Sequence, residues 1–157
     1  MGSNSIIART IKTKKSMKIY LSSTLNPDKR NAMKAASHIL KLAGFEVYDP
    51  SEHVIDNAWD YPNNEWGLMV FQADIQAIRE SEIVIVLSYG RNSTAGCNWE
   101  AGYAFALGKK IIVVEMTDEP MSLLVANGRY ATVKGLQGLT EYNWQTMPKT
   151  RTNTEQK

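Results

Sequence analysis

The chain has 157 residues, 43% of them hydrophobic, which suits one globular domain with a substantial core. Its formal net charge is +2, but four of its basic residues lie in an acid-free segment, residues 1–17, and the rest of the chain has a net charge of −2. A slightly acidic domain with a basic tail excludes a nucleic-acid-binding face. No apolar run approaches the roughly 18 residues of a membrane span. Residues 1–16 also lack the apolar core of a secretory signal, so we expect a disordered basic leader there.

Cysteine and histidine are scarce. Cys97 is the single cysteine, which rules out an internal disulfide and fits a reducing compartment, so we expect a cytoplasmic protein. This cysteine is either a small buried apolar residue or a reactive thiol. The two histidines, His38 and His53, have no metal-ligand spacing to it, and we expect no metal site.

The first elements are predicted to form a βαβ unit. Residues 17–21 are a short strand. A helix follows, with Asn26 as its N-cap, Pro27 at its first position and Gly44 at its end. Residues 45–48 form the second strand, and two strands joined in this way are expected to be parallel, with a right-handed crossover.

An irregular segment and a second helix come next. Residues 51–65 contain Trp59 and Tyr61 and form either a lid or binding loop, or a surface loop that buries its aromatic side chains on the domain. Residues 66–80 are predicted to be helical because apolar residues recur with helical spacing, at Leu68, Phe71, Ile75 and Ile78. Asp74 falls at the edge of this apolar face, so it is either exposed beside the core or directed into a cleft.

The rest of the chain is organised around residues 83–107. Residues 83–88 are a continuous apolar, β-branched run, typical of a strand buried on both faces of a parallel sheet. Residues 89–98 are predicted to be a loop, and residues 99–107 have helical spacing. Glu100 would then lie in the first turn of a helix, at the carboxyl end of a strand, where α/β sheets bind ligands. It either complements the helix dipole or acts as a nucleophile or general base.

The remaining elements complete an α/β pattern. Residues 111–115 and 130–133 are predicted strands, and residues 120–126 a short helix between them. Residues 141–157 form a C-terminal tail, with the last dozen residues loosely held. The predicted fold is therefore a single α/β domain of residues 17–140, a five-stranded, parallel, doubly wound (flavodoxin- or Rossmann-like) three-layer sandwich.

Four segments carry a recognisable combination of motifs. They are Lys18-Ile19-Tyr20-Leu21-Ser22-Ser23, Gln72-Ala73-Asp74-Ile75, Ser93-Thr94-Ala95-Gly96-Cys97-Asn98-Trp99-Glu100-Ala101-Gly102-Tyr103-Ala104 and Met121-Ser122-Leu123-Leu124-Val125-Ala126-Asn127-Gly128. In this order and spacing they resemble the nucleoside 2-deoxyribosyltransferase superfamily, and the resemblance covers residues 18–139.

The chemistry of that family accounts for the residue types. Breaking an N-glycosidic bond develops positive charge at C1′, which a carboxylate stabilises or attacks, while a second acid protonates the leaving base. The resemblance implies that Glu100 is the nucleophile, that Asp74 is the base-binding acid, and that the Tyr20 hydroxyl orients the nucleophile and tunes its pKa. Gly96 and Gly102 would let the sugar and the backbone approach closely. No metal or organic cofactor is implied.

Two departures from the family pattern bear on the substrate. Transferases of the family typically have Asp six positions before the nucleophile, where this chain has Thr94, and Asn in the element that reaches the neighbouring subunit's site, where it has Ser122. Hydroxyls there look more like the branch that hydrolyses (deoxy)nucleoside 5′-monophosphates. Ser22 and Ser23, before a helix N-terminus, would suit a phosphate but are equally ordinary loop residues. The same resemblance counts Asn98 among the substrate-binding residues.

Three functions are compatible with the sequence: a deoxyribosyl transferase acting between nucleobases, a nucleotide N-glycosidase, and a non-catalytic nucleotide-binding or TIR-like module. The presence of both Glu100 and Asp74 argues against the third, because a binding module needs no pair of acids in one cleft. The expected partners are nucleosides or nucleotides and nucleobases, rather than nucleic acid or membrane. The resemblance also implies a homo-oligomer whose sites are shared between subunits.

Overall fold

A single parallel sheet organises the domain. The computed structural model describes residues 16–150, so nearly all of the predicted leader and the last seven residues of the predicted tail lie outside the described residues. The five strands of the described part are Lys18–Ser22 (β1), Glu46–Tyr48 (β2), Ile83–Ser88 (β3), Lys110–Glu115 (β4) and Ala131–Lys134 (β5). Their order across the sheet is β2-β1-β3-β4-β5, and every pair is parallel.

Helices cover both faces of this sheet. They are Arg30–Leu42 (α1), Asn63–Glu80 (α2), Ala95–Ala106 (α3), Leu123–Gly128 (α4) and Gly135–Glu141 (α5). Helices α1 and α5 pack on one face, and α2, α3 and α4 pack on the other. The predicted class, a doubly wound parallel α/β sandwich, is therefore confirmed. None of the helices within residues 16–150 combines the length and apolarity needed to cross a bilayer.

Strand β3 joins the two halves of the core. All six of its residues are buried, and its side chains alternate between the faces, with Ile85 in the cluster beneath α1 and Val84 and Val86 in the cluster beneath α2 and α3. Burying a side chain of this size contributes about 1.5–3 kcal/mol. The central strand therefore fixes the sheet from which the neighbouring loops project.

Helix α3 begins earlier than the sequence predicts. The predicted start is Trp99, whereas the helix starts at Ala95, with Thr94 in the extended N-cap conformation. The small residues before Trp99 continue the helix, because alanine has the highest helix propensity and one glycine is tolerated. Glu100 is thus the sixth residue of the helix and not in its first turn. Since dipole effects decay within the first turn, the helix dipole does not explain this acid.

The C-terminal part of the described chain packs on the domain. Helix α5 is not predicted by the sequence pattern, because Gly135 and Gly138 interrupt its apolar spacing. Beyond it, within the segment predicted as a tail, Tyr142 and Met147 are buried in the core. The Thr132 N–H donates to the Thr150 carbonyl at 2.9 Å, which attaches this segment to β5.

The apolar face of α2 is only partly used within the chain. Of its predicted core positions, Ile78 is fully buried, but Leu68 and Phe71 remain 54% and 48% exposed. On the same side of the sheet, Leu123 and Leu124 of α4 are 81% and 88% exposed. This side of the domain therefore presents an apolar surface that the chain itself leaves uncovered.

Candidate active site

The site lies where the sheet changes direction. The chain passes from β1 outward to β2 and then returns to place β3 on the other side of β1. Such a switch point leaves a crevice beyond the carboxyl ends of the two central strands, the usual ligand site of an open α/β sheet. Tyr20 of β1, Asp74 of α2 and Glu100 of α3, all three predicted as catalytic, come together on the α2–α3 side of this region.

Glu100 is a carboxylic acid held away from water. Its Oε2 atom is inaccessible to solvent and makes no hydrogen bond of acceptable geometry with any of residues 16–150. Burial raises the pKa of Glu100 to about 7; the nearby Tyr20 hydroxyl lowers this pKa, and the negative charge of Asp74 raises it. Both the protonated and the ionised form of this acid are therefore accessible near neutral pH.

Tyr20 faces this acid from β1. The residue is fully buried, and its hydroxyl oxygen makes no hydrogen bond of acceptable geometry within the described chain. It is nevertheless near enough to interact with Glu100, and burial together with that negative charge raises the pKa of Tyr20 well above its usual value. Two adjacent buried polar groups whose mutual hydrogen bond lacks good geometry retain hydrogen-bonding capacity for a third group.

Asp74 lies beside Tyr48, a residue that the sequence did not single out as part of the site. Its Oδ1 accepts a long hydrogen bond of 3.4 Å from the Tyr48 hydroxyl. Burial raises the pKa of Asp74, while the Tyr48 hydrogen bond and the nearby His53 lower it. Strand register could have revealed Tyr48, because it is the β2 partner of Tyr20, and the two rings stack with centroids 5.5 Å apart.

A cavity between α2 and α3 gives access to both acids. Its volume of about 400 Å³ falls within the range of small-molecule sites. Asp74, Glu100 and Gly96 line it, together with the aromatic rings of Phe71 and Trp99. The predicted Gly96 is thus part of this cavity, and the mouth is largely apolar.

The hydroxyl-bearing residues form a second group next to the acids. Ser22 and Ser23 are buried at the end of β1, and Ser22 Oγ has no hydrogen-bond partner of acceptable geometry among the described residues. Thr94 is exposed at the start of α3, with its Oγ1 3.2 Å from the Cys97 sulfur. Burial raises the pKa of the Cys97 thiol, which favours the small buried residue over the reactive thiol.

The other predicted substrate-binding residues lie on the opposite side of α3. Asn98, Gly102 and Ser122 line a separate cavity of about 530 Å³ between α3 and α4. Ser122 also caps α4, since its Oγ accepts from the Val125 N–H at 3.3 Å. Within one chain these three residues are not brought into the cavity of Glu100.

No cluster of three or more potential metal ligands among His, Cys, Asp and Glu occurs in the described part of the chain. The chemistry available in the site is that of the two acids, the phenols and the hydroxyls described above.

The fold and site define an α/β domain with a ligand-sized cavity near the switch point of a parallel sheet. The sequence model of the nucleoside 2-deoxyribosyltransferase family matches residues 19–145, and the chain belongs to this family. The resemblance found in the sequence motifs is therefore confirmed.

Solved structures share the fold. A 2-deoxyribosyltransferase from Bacillus psychrosaccharolyticus is 26% identical, with a TM-score of 0.78 over 86% of this chain and 98% of that one. The CMP N-glycosidase BcmB of Clostridium botulinum is 22% identical, with a TM-score of 0.50 over 85% and 84% of the two chains. A conserved protein from Enterococcus faecalis V583 is 18% identical, with a TM-score of 0.56 over 90% and 94%. Comparison with curated protein sequences gives no significant match.

Proposed function

We propose that the protein is an enzyme that cleaves the N-glycosidic bond of 2′-deoxynucleosides and transfers the deoxyribosyl group to another nucleobase. The observation that carries this proposal is the buried Glu100 carboxyl, which lines a ligand-sized cavity together with a second acid, Asp74. Membership of the nucleoside 2-deoxyribosyltransferase family supports the same reaction class.

The first half-reaction forms a covalent intermediate. A carboxylate oxygen of Glu100 bonds to C1′ as the bond between C1′ and the base nitrogen breaks, and the departing base takes the bonding electron pair. Asp74 supplies a proton to that base. Because burial raises the pKa of Asp74, this acid retains a proton more readily than an exposed aspartate does.

The second half-reaction reverses these steps with a different base. A ring nitrogen of the acceptor attacks C1′, the bond to Glu100 breaks, and the carboxylate is regenerated. Asp74, now ionised, accepts the proton that the acceptor base loses. The proton and the sugar are thus both returned, and the cycle needs no co-reactant beyond the two bases.

Tyr20 would control the nucleophile. Its proton is held firmly, so its hydroxyl can donate to a carboxylate oxygen of Glu100 whenever that acid is ionised. This interaction lowers the pKa of Glu100 against the larger effect of burial. It therefore increases the fraction of enzyme with an ionised nucleophile at neutral pH.

Hydrolysis of (deoxy)nucleoside 5′-monophosphates is the second candidate. Here water replaces the acceptor base, and the products are a free base and a sugar 5-phosphate. The observation that favours it is the set of hydroxyls beside the acids, Thr94 at the start of α3 and Ser22 and Ser23 at the end of β1. These groups and the first N–H groups of the twelve-residue α3 could hold a phosphate.

We further propose that the active enzyme is a homo-oligomer. Asn98, Gly102 and Ser122 line a cavity separate from that of Glu100, as expected if they complete a neighbouring copy's site. The uncovered apolar side chains of α2 and α4, including Leu68 and Leu124, lie on the same side of the sheet. A second copy would remove this surface from water. Light scattering coupled to size-exclusion chromatography would give a single-chain mass if this is wrong.

Product analysis by chromatography tests the reaction. Purified protein is incubated with a deoxynucleoside and a different free base, and separately with a deoxynucleoside 5′-monophosphate. A new nucleoside in the first mixture supports the transferase; free base and deoxyribose 5-phosphate in the second mixture alone support the hydrolase. No product in either mixture, with ligand binding retained, would favour the non-catalytic module. Glu100→Ala is the control and should abolish turnover while retaining binding.

A further inference from the structure

Tyr48 occupies a central place in the site although it ends the shortest strand of the sheet. Its hydroxyl donates to Asp74 Oδ1 at 3.4 Å. One face of its ring stacks on Tyr20, with centroids 5.5 Å apart and planes 15° apart. The His53 ring is also close, with its centroid 6.1 Å away. Tyr48 thus contacts both the base-binding acid and the tyrosine beside the nucleophile.

Building on the proposed function, we propose that Tyr48 is a positioning residue for the nucleobase side of the reaction. Its hydroxyl holds Oδ1 of Asp74 and so leaves Oδ2 as the oxygen available to the base. Its ring, stacked on Tyr20, fixes the distance between Asp74, which protonates the base, and Tyr20, which orients the nucleophile.

The need for such a residue follows from where Asp74 lies. This acid is only partly buried, and rotation about the terminal bond of an aspartate side chain is loosely restricted. A hydrogen bond to one oxygen removes that freedom. Burial and the charge of Asp74 raise the pKa of Tyr48 to about 12, so its hydroxyl remains a donor at every pH at which the protein is expected to work.

Removing the hydroxyl has a definite electrostatic effect. The ionisable groups around Asp74 are Tyr48 from β2, His53 from the segment after β2, Tyr20 from β1 and Glu100 from α3. The Tyr48 hydrogen bond lowers the pKa of Asp74, so its loss raises that pKa. Because protonated Asp74 is the form that assists the leaving base, the limb of the pH–rate profile that follows the Asp74 titration should move to higher pH.

The test is Tyr48→Phe, which keeps the stacked ring and removes only the hydroxyl. Tyr130→Phe is the matched control, because the Tyr130 hydroxyl also makes one hydrogen bond, at 2.7 Å to the Met147 carbonyl, near the opposite edge of the sheet. The Asp74 carboxyl is titrated by carbon-13 NMR in the resting enzyme. The pH dependence of kcat/KM is measured with the substrate that product analysis identifies.

In Tyr48→Phe we expect the Asp74 titration, and the limb of the pH–rate profile that follows it, to move to higher pH. The maximal kcat/KM should fall about 3- to 10-fold, the factor for losing one ordinary hydrogen bond. Tyr130→Phe should show neither change. In an Asp74→Asn background, Tyr48→Phe should have no further effect on kcat/KM, because the two groups act as one unit.

An Asp74 titration that is the same with and without the hydroxyl would overturn the proposal, whether or not the enzyme turns over. A moved titration with an unchanged pH–rate profile would overturn the role of Tyr48 in the reaction. A moved titration with no turnover on any nucleoside or nucleotide would establish the contact with Asp74, and the proposed function would be what fails.

Discussion

Replacing Glu100 by glutamine should stabilise the fold while it removes activity. The carboxyl titrates near 4.5 in the unfolded chain and at about 7 in the folded protein. Below pH 4.5 both states hold the proton, and between these values the unfolded chain ionises first, so the free energy of unfolding of the wild type falls as the pH rises to about 7. The full shift corresponds to about 3 kcal/mol, since each pKa unit is about 1.4 kcal/mol.

Glutamine is close in shape to glutamate and carries no charge at any pH. The stability advantage of Glu100→Gln over wild type, measured as the free energy of unfolding, should therefore grow by about 2–3 kcal/mol as the pH is raised from 5 to 8. For a domain of this size, that is a rise in melting temperature of about 5–10 °C at pH 8. Turnover should be lost at both pH values because an amide cannot form the covalent intermediate.

The measurement is urea unfolding of both proteins at pH 5 and pH 8, at one protein concentration so that any oligomerisation is held constant. Asp56→Asn, which removes an exposed acid, is the control and should show no pH-dependent gain. If the difference between Glu100→Gln and wild type is the same at both pH values, the carboxyl is not held in the folded state with a raised pKa. The electrostatic basis of the proposed nucleophile would then be wrong.

Four further substitutions test separate parts of the structure. Tyr20→Phe removes the group that lowers the pKa of Glu100, so the limb of the pH dependence of kcat/KM that follows the Glu100 titration should move to higher pH, and an unmoved limb would contradict this contact. Gly90→Ala should lower the free energy of unfolding by more than about 1 kcal/mol, as measured by thermal unfolding. Gly90 has a φ of +64°, and an added Cβ would lie 2.4 Å from the Cβ of Glu119. Gly67→Ala, in open space on α2, should instead be neutral or stabilising. Ser122→Ala should lower stability by about 1 kcal/mol through loss of the α4 cap; no change would exclude that cap.

The sequence predicts the sheet well because its strongest signals are local. The β-branched run of β3 and the similar run of β4 specify buried parallel strands wherever they occur. The position of Glu100 beyond β3 then follows from the connectivity alone. The start of α3 is missed because small residues suit both a loop and a helix, and the choice is made by packing: Cys97 is buried against the β1 end of the sheet.

The parts of the site that the sequence does not predict depend on contacts between distant segments. Tyr48 ends the short strand β2, and nothing in the local sequence marks it as part of a site. Only the register of β2 against β1 places it beside Tyr20. In the same way, helical spacing identifies Leu68 and Phe71 as apolar positions. It does not tell whether they face the core or an uncovered surface, because burial in a core and burial against a second protein need the same residue types.

The attachment of residue 150 to β5 has a consequence for solubility. Strand β5 is one of the two outer strands of the sheet, and an outer strand whose N–H and C=O groups are unpaired can pair with the same strand of another molecule. The Thr132 N–H donates to the Thr150 carbonyl at 2.9 Å, and the Thr150 hydroxyl donates to the Thr132 carbonyl at 2.7 Å. The segment after α5 therefore covers part of the outer edge of β5, which makes this edge less available for pairing with a strand of another molecule. The opposite outer strand, β2, limits the same risk by being only three residues long.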